Sequence, residues 1–120
     1  MKLLCKICNV EITKSIIELQ DLKQLNETDG EDYIPAGFYT IGDGKYDTNS
    51  KGKIIININD KINTKYHSKA SRLNGCCGLD GLDGINTVCI NEHELGTESS
   101  DCWMAQYISL EPDLIRWDEE

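Results

Sequence analysis

Proline, aromatic side chains and long apolar runs are all scarce in this chain. Among 120 residues there are 2 prolines and 1 phenylalanine, aromatics reach 7%, and apolar residues 39%. A short chain with so little apolar bulk builds a thin core, and metals or disulfides commonly make up the missing stability. Two domains would each be too small, so residues 1–120 read as a single domain. No segment approaches the ~18 apolar residues of a membrane span. The run Leu3-Leu4 stops at Cys5 and Lys6, short of the roughly 7–15 apolar residues of a secretory leader. The expectation is no membrane partner and a cytoplasmic location, where cysteines serve as metal ligands or reactive thiols rather than as disulfides.

Clustered positive charge is lacking too. The net charge is −9, and the densest basic stretch spreads Lys61, Lys65, Lys69 and Arg72 through polar sequence that reads as solvated loop. Phosphate binding needs grouped Lys and Arg, so no nucleic-acid partner is expected. An acidic surface would instead attract an unknown protein partner of basic character.

Several catalytic signatures are missing by one feature each. His93-Glu-Leu-Gly-Thr97 has threonine where a zinc protease carries its second histidine, and Gly96-Thr97 disfavours the helix that motif requires. In Gly78-Leu-Asp-Gly-Leu-Asp-Gly-Ile-Asn86 the oxygen ligands recur every third residue, whereas an EF-hand places them every second. The glycines have neither the flanking strand and helix nor the Lys-Ser/Thr of a phosphate loop. Cys102 follows Asp101, whose charge raises a neighbouring thiol pKa, so Cys102 reads as structural rather than nucleophilic. No catalytic residue is assigned, and an enzyme is the less favoured class.

What the chain does have is six cysteines. The clearest signal is Cys5-x-x-Cys8, since two intervening residues let both sulfurs converge on one tetrahedral ion. The flanking Leu3, Leu4, Ile7, Val10 and Ile12 suggest a strand, a cysteine turn and a second strand, unlike the strand-to-helix setting of a thioredoxin Cys-x-x-Cys. The rest of the site must come from Cys76, Cys77, Cys89, Cys102 or His93. Adjacent cysteines do not easily share one tetrahedral ion, so one of Cys76 and Cys77 is expected to bind. Cys77 and Cys89 complete the expected metal set with Cys5 and Cys8. Cys76, Cys102 and His93 are the alternates, His93 by its Cys89-x-x-x-His93 spacing.

Along the chain β signals dominate. Residues 14–26 fit either a short helix or a strand. Tyr33 to Ile41 reads as an edge or bulged strand, and Lys53 to Asn59 as a half-buried strand by its alternation of Ile54, Ile56 and Ile58 with Ile55, Asn57 and Asn59. Residues 60–86 read as a long loop, of the kind usually pinned by something. Thr87 to Ile90, His93 to Thr97 and Trp103 to Leu110 read as strands, with Trp103 and Tyr107 as core aromatics. One helical turn is expected near Leu114, Ile115 and Trp117. The fold class is therefore mainly β, or α+β: a small antiparallel domain with one or two short helices, its metal clamp formed by the Cys5-Cys8 turn and the Cys76-Cys102 region.

The cysteine turn at Leu4 to Val10 and its distant cysteine partners resemble zinc ribbons, in which an amino-terminal turn meets a second turn across a hairpin. This chain departs from that pattern in having no second Cys-x-x-Cys. The expected cofactor is structural zinc, and the first function hypothesis is a protein-interaction or adaptor module built on it; a thiol-redox or metal-dependent enzyme is the alternative.

Overall fold

The computed structural model describes residues 1–119 and is mostly β, with three-residue 3-10 turns as its helices. Nine strands are present among the described residues: β1 Lys2–Cys5, β2 Ile17–Glu18, β3 Phe38–Ile41, β4 Ile54–Ile56, β5 Thr64–Tyr66, β6 Thr87–Cys89, β7 Glu94–Ser99, β8 Tyr107–Leu110 and β9 Ile115–Asp118. Seven of them form one sheet in the order β2-β3-β4-β8-β7-β6-β5, and β1 pairs with β9 in a second. Every pairing is antiparallel except β2 with β3. No helix among the described residues is long and apolar enough to cross a membrane.

Successive side chains on a strand face opposite sides, and β4 shows what that does here. Ile54 and Ile56 enter one apolar cluster with Leu3, Cys5, Leu95 and Ile108, while Ile55 enters another with Leu19, Ile34 and Tyr107. The expected half-buried strand is therefore buried on both faces. It lies in the interior of the sheet, between β3 and β8, and the β1–β9 pair contributes Leu3, Cys5 and Ile115 to the first cluster. The alternation was real, but its polar phase had ended: Asn57 caps a 3-10 turn at Ile58–Asp60, accepting from the Asn59 N–H at 2.8 Å.

Other sequence expectations change for similar reasons. Residues 14–26 form β2 and a 3-10 turn at Leu22–Gln24 rather than a longer element. The tail makes its turn at Pro112–Leu114, ahead of the expected place, and Ile115 to Asp118 is strand because it pairs with β1. The stretch 60–86 contains β5 and a 3-10 turn at Ala70–Arg72. Side chains hold its remainder: Arg72 donates to the Ile85 carbonyl at 2.8 Å, and Asn74 to Asp83 at 3.0 Å. Tyr107 is buried, but Trp103 is 51% exposed, with its indole N–H donating to the Asp101 carboxylate at 2.9 Å.

Candidate metal centre

Two turns face each other at one end of the sheet. The first leaves β1 at Cys5, where the Cys5 N–H donates to the Val10 carbonyl at 2.9 Å and the Asn9 N–H to the Cys5 carbonyl at 2.8 Å. Asn9 takes the left-handed conformation, φ 62°, which asparagine tolerates better than most residues. Arg116 of β9 holds its side-chain oxygen from Nε at 3.2 Å and Nη2 at 3.0 Å. The second turn joins β6 to β7. There the Cys89 N–H donates to the His93 carbonyl at 2.9 Å, the Glu92 N–H donates to the Cys89 carbonyl at 2.8 Å, and Glu92 is left-handed at φ 68°. Each turn therefore closes a cysteine at a strand end back onto the chain. Asn63 joins them: its carbonyl accepts from the Ile90 N–H and its side chain donates to the Glu11 carbonyl, both at 2.9 Å.

The turns bring Cys5, Cys8, Cys89 and His93 together, with all four ligand atoms within 4.8 Å of one another. His93 Nδ1 lies 3.5 Å from both Cys5 Sγ and Cys89 Sγ, and Cys8 Sγ lies 3.8 Å from Cys89 Sγ. Metal–sulfur bonds of about 2.3 Å and metal–nitrogen bonds of about 2.0 Å at tetrahedral angles give edges of about 3.8 Å between sulfurs and about 3.5 Å from sulfur to nitrogen. These three separations match those edges, and the Cys8 and Cys89 sulfurs are far beyond the ~2.05 Å of a disulfide. This group could hold a metal ion.

Polar hydrogens already point at the sulfurs. The Asn91 N–H donates to Cys89 Sγ and the Asn91 side chain to Cys8 Sγ, each at 3.3 Å. The Asn91 bond, followed by the Val10 backbone N–H, lowers the Cys8 thiol to about 6. Burial raises Cys5, opposed by the N–H groups of Cys8 and Ile7. Donors of this kind orient and tune ligands in the shell around a metal.

Cys77, which the sequence grouped with Cys5, Cys8 and Cys89, lies elsewhere: it sits with Cys76 and Cys102 in a second exposed group, also within 4.8 Å of one another. The reason is β7. His93 immediately precedes this six-residue strand and Asp101-Cys102 follow it by two residues, so the groups stand at opposite ends of a strand about 17 Å or more in length. They cannot share an ion. The place expected for Cys77 is occupied by His93, and the signal for this was the short Cys89–His93 spacing within a hairpin, where both ends of the turn necessarily approach each other.

The fold and this site define a small β protein with a three-cysteine, one-histidine group between two turns. Compared with family models, curated proteins and solved structures, the chain matches none of them.

Proposed function

We propose that this is a small acidic zinc-binding protein in which Cys5, Cys8, Cys89 and His93 hold one structural zinc ion, and that the domain serves as a protein-interaction or adaptor module. The observation that carries the zinc reading is the set of 3.5 and 3.8 Å separations among the ligand atoms. Four protein ligands leave no open position, which is the pattern of structural rather than catalytic zinc. Two turns meeting across a β-hairpin is also what the zinc-ribbon resemblance implies, with Cys89 and His93 standing in for the second cysteine pair.

The adaptor reading rests on a cleft of about 470 Å³ lined by Tyr46, Tyr107 and Trp103 with Asp29, Asp47 and Asp80. Aromatic faces beside carboxylates suit a Lys or Arg side chain presented by a basic partner. Trp103→Ala should then weaken capture of a Lys/Arg-rich peptide at least tenfold in a fluorescence titration without changing the melting curve. Equal binding by both proteins would remove the cleft from the proposal.

A thiol-redox enzyme is the second reading, favoured by the lowered Cys8 thiol. Metal analysis with thiol counting separates the two. The zinc reading expects one zinc per chain at this site, Cys5, Cys8 and Cys89 protected from thiol reagents, and loss of structure when a chelator removes the ion. Metal-free, folded protein with a fast-reacting Cys8 would sink it and favour the redox enzyme.

A further inference from the structure

The second cysteine group is built with as much order as the first, by other means. Asp101 is 1% exposed, and its carboxylate accepts the backbone N–H of each of the three cysteines in the group. Oδ2 takes Cys76 at 2.8 Å, and Oδ1 takes Cys77 at 2.9 Å and Cys102 at 2.8 Å. Oδ2 also accepts the Trp103 indole N–H at 2.9 Å. One buried side chain thus ties two backbone segments together so that three exposed thiols converge. Gly78 keeps the loop in place from below: a Cβ there would collide with the Ser100 carbonyl, so the chain carrying Cys76 and Cys77 lies flat against the segment leading to Cys102. The Leu79 N–H donates to Ser100 Oγ at 3.1 Å, and the Ser100 N–H to the Leu79 carbonyl at 2.8 Å.

The geometry points to a second, solvent-facing metal site in which Cys76, Cys77 and Cys102 bind a soft thiophilic ion, cuprous copper, through three sulfurs. Among the described residues no further His, Cys, Asp or Glu joins this group, and both Asp101 oxygens are committed to N–H donors. The site therefore offers three thiolates and no fourth protein ligand, which is short of the four that structural zinc takes. Soft thiolates suit Cu(I), and Cu(I) is satisfied by the three sulfurs present, where structural zinc takes four ligands. Binding changes no oxidation state: copper enters as Cu(I), three Cu–S bonds form, and the thiol protons leave to solvent. The inference stands apart from the zinc reading, because β7 separates the two groups.

The test uses full-length, reduced protein under anaerobic conditions, its metal content measured first. Cu(I) is supplied as its acetonitrile complex against a chromogenic Cu(I) chelator, and any zinc released is followed with a second indicator. The expected result is one Cu(I) retained per chain with no zinc release, and at least a hundredfold weaker retention in Cys102→Ser and in Cys76→Ser/Cys77→Ser. Circular dichroism and the melting curve confirm that these exposed substitutions leave the fold intact. Retention unchanged in both variants, uptake only with displacement of zinc, or no uptake would each overturn the site. A second equivalent of zinc dependent on Cys102, taken in preference to Cu(I), would overturn the assignment of copper. Failure of the zinc reading would show separately, in the metal content before copper is added.

Discussion

The two cysteine groups are built on opposite plans. Cys5, Cys8, Cys89 and His93 sit partly or wholly buried, at turns whose backbone bonds continue directly from β1 and from the β6–β7 hairpin. Cys76, Cys77 and Cys102 are exposed, and their loop is tied to one carboxylate. The first group joins two sheets whose other shared contacts are an apolar cluster and the Tyr39–Trp117 ring pair, so an ion there would belong to the fold. The second lies on a finished surface, so an ion there would come and go without changing it. Burial and strand connectivity, rather than the number of sulfurs, decide which group carries stability.

The sharpest way to break this comparison is to remove one sulfur from each group. Cys5→Ser should abolish the cooperative melt, since losing one ligand forfeits most of a structural site that is commonly worth about 10 kcal/mol or more, comparable to the whole stability of a small domain. Cys102→Ser should change stability by less than about 0.5 kcal/mol, as an exposed substitution. Acid should mimic the first result, because protonation of thiolates and imidazole releases the metal as pH falls. A native melt for Cys5→Ser, or an unfolded Cys102→Ser, would reverse the roles assigned to the two groups.

Next in size is a substitution in the strand that separates them. Glu98 of β7 is buried and accepts from Lys61 at 2.9 Å, Tyr66 at 3.0 Å and Ser100 at 2.8 Å. Burial alone would lower the Lys61 pKa, and the ion pair with Glu98 more than reverses it. Lys61 keeps partial access to solvent, so the loss is mainly that of an acceptor shared by three donors, and leaving such groups unsatisfied costs about 1–3 kcal/mol. Glu98→Ala should therefore lower the denaturation midpoint of the whole domain, while zinc and copper stoichiometries stay as in the native protein. Loss of one stoichiometry alone would show that β7 supports that group specifically.

Asp101→Ala should act more locally. Four N–H donors lose their shared acceptor, so amide exchange in residues 74–80 should quicken. The melting temperature should fall by only a few degrees, and metal content at Cys5 and Cys8 should not change. Global unfolding in this variant would mean that the exposed loop is part of the fold's support after all.

The β class is legible because short runs rich in β-branched residues lie between turn residues, as at Ile54 to Ile56 and Thr87 to Ile90. Cys5 and Cys8 were legible because their spacing is local and carries its own geometry. The other members of that group depend on which strands pair, and local pattern does not contain that. By local pattern Cys77 is preferred to His93, and only the pairing of β7 sets them at opposite ends of a strand. The strand in the tail is hidden for the same reason: nothing in Leu114 to Trp117 announces that its partner is β1, more than a hundred residues earlier. In the sequence Asp101 reads only as a charge beside Cys102, since its bonds to Cys76 and Cys77 are brought by a loop about twenty-five residues away.

The smallest effect tests the other cluster of the core, where tyrosines replace the aliphatic packing near the metal group. Tyr33 and Tyr46 stack with ring centroids 5.2 Å apart, and Tyr107 packs against both. The Tyr107 hydroxyl donates to Asp47 Oδ2 at 2.7 Å, and burial together with that acceptor raises its pKa well above the ordinary tyrosine value. A raised folded-state pKa gives stability that is complete below the unfolded value near 10 and is lost as pH climbs through the folded one. Tyr107→Phe should cost about 1 kcal/mol near pH 7, the usual worth of one hydrogen bond. Above pH ~10 the unfolded tyrosine ionises while the folded one resists, so the native advantage falls by up to about 1.4 kcal/mol per pH unit and vanishes near pH ~11. Urea melts of both proteins across that range give the crossing point directly. A difference that stayed constant with pH would mean that Tyr107 is held by packing alone, leaving the Asp47 bond without energetic weight on this side of the molecule.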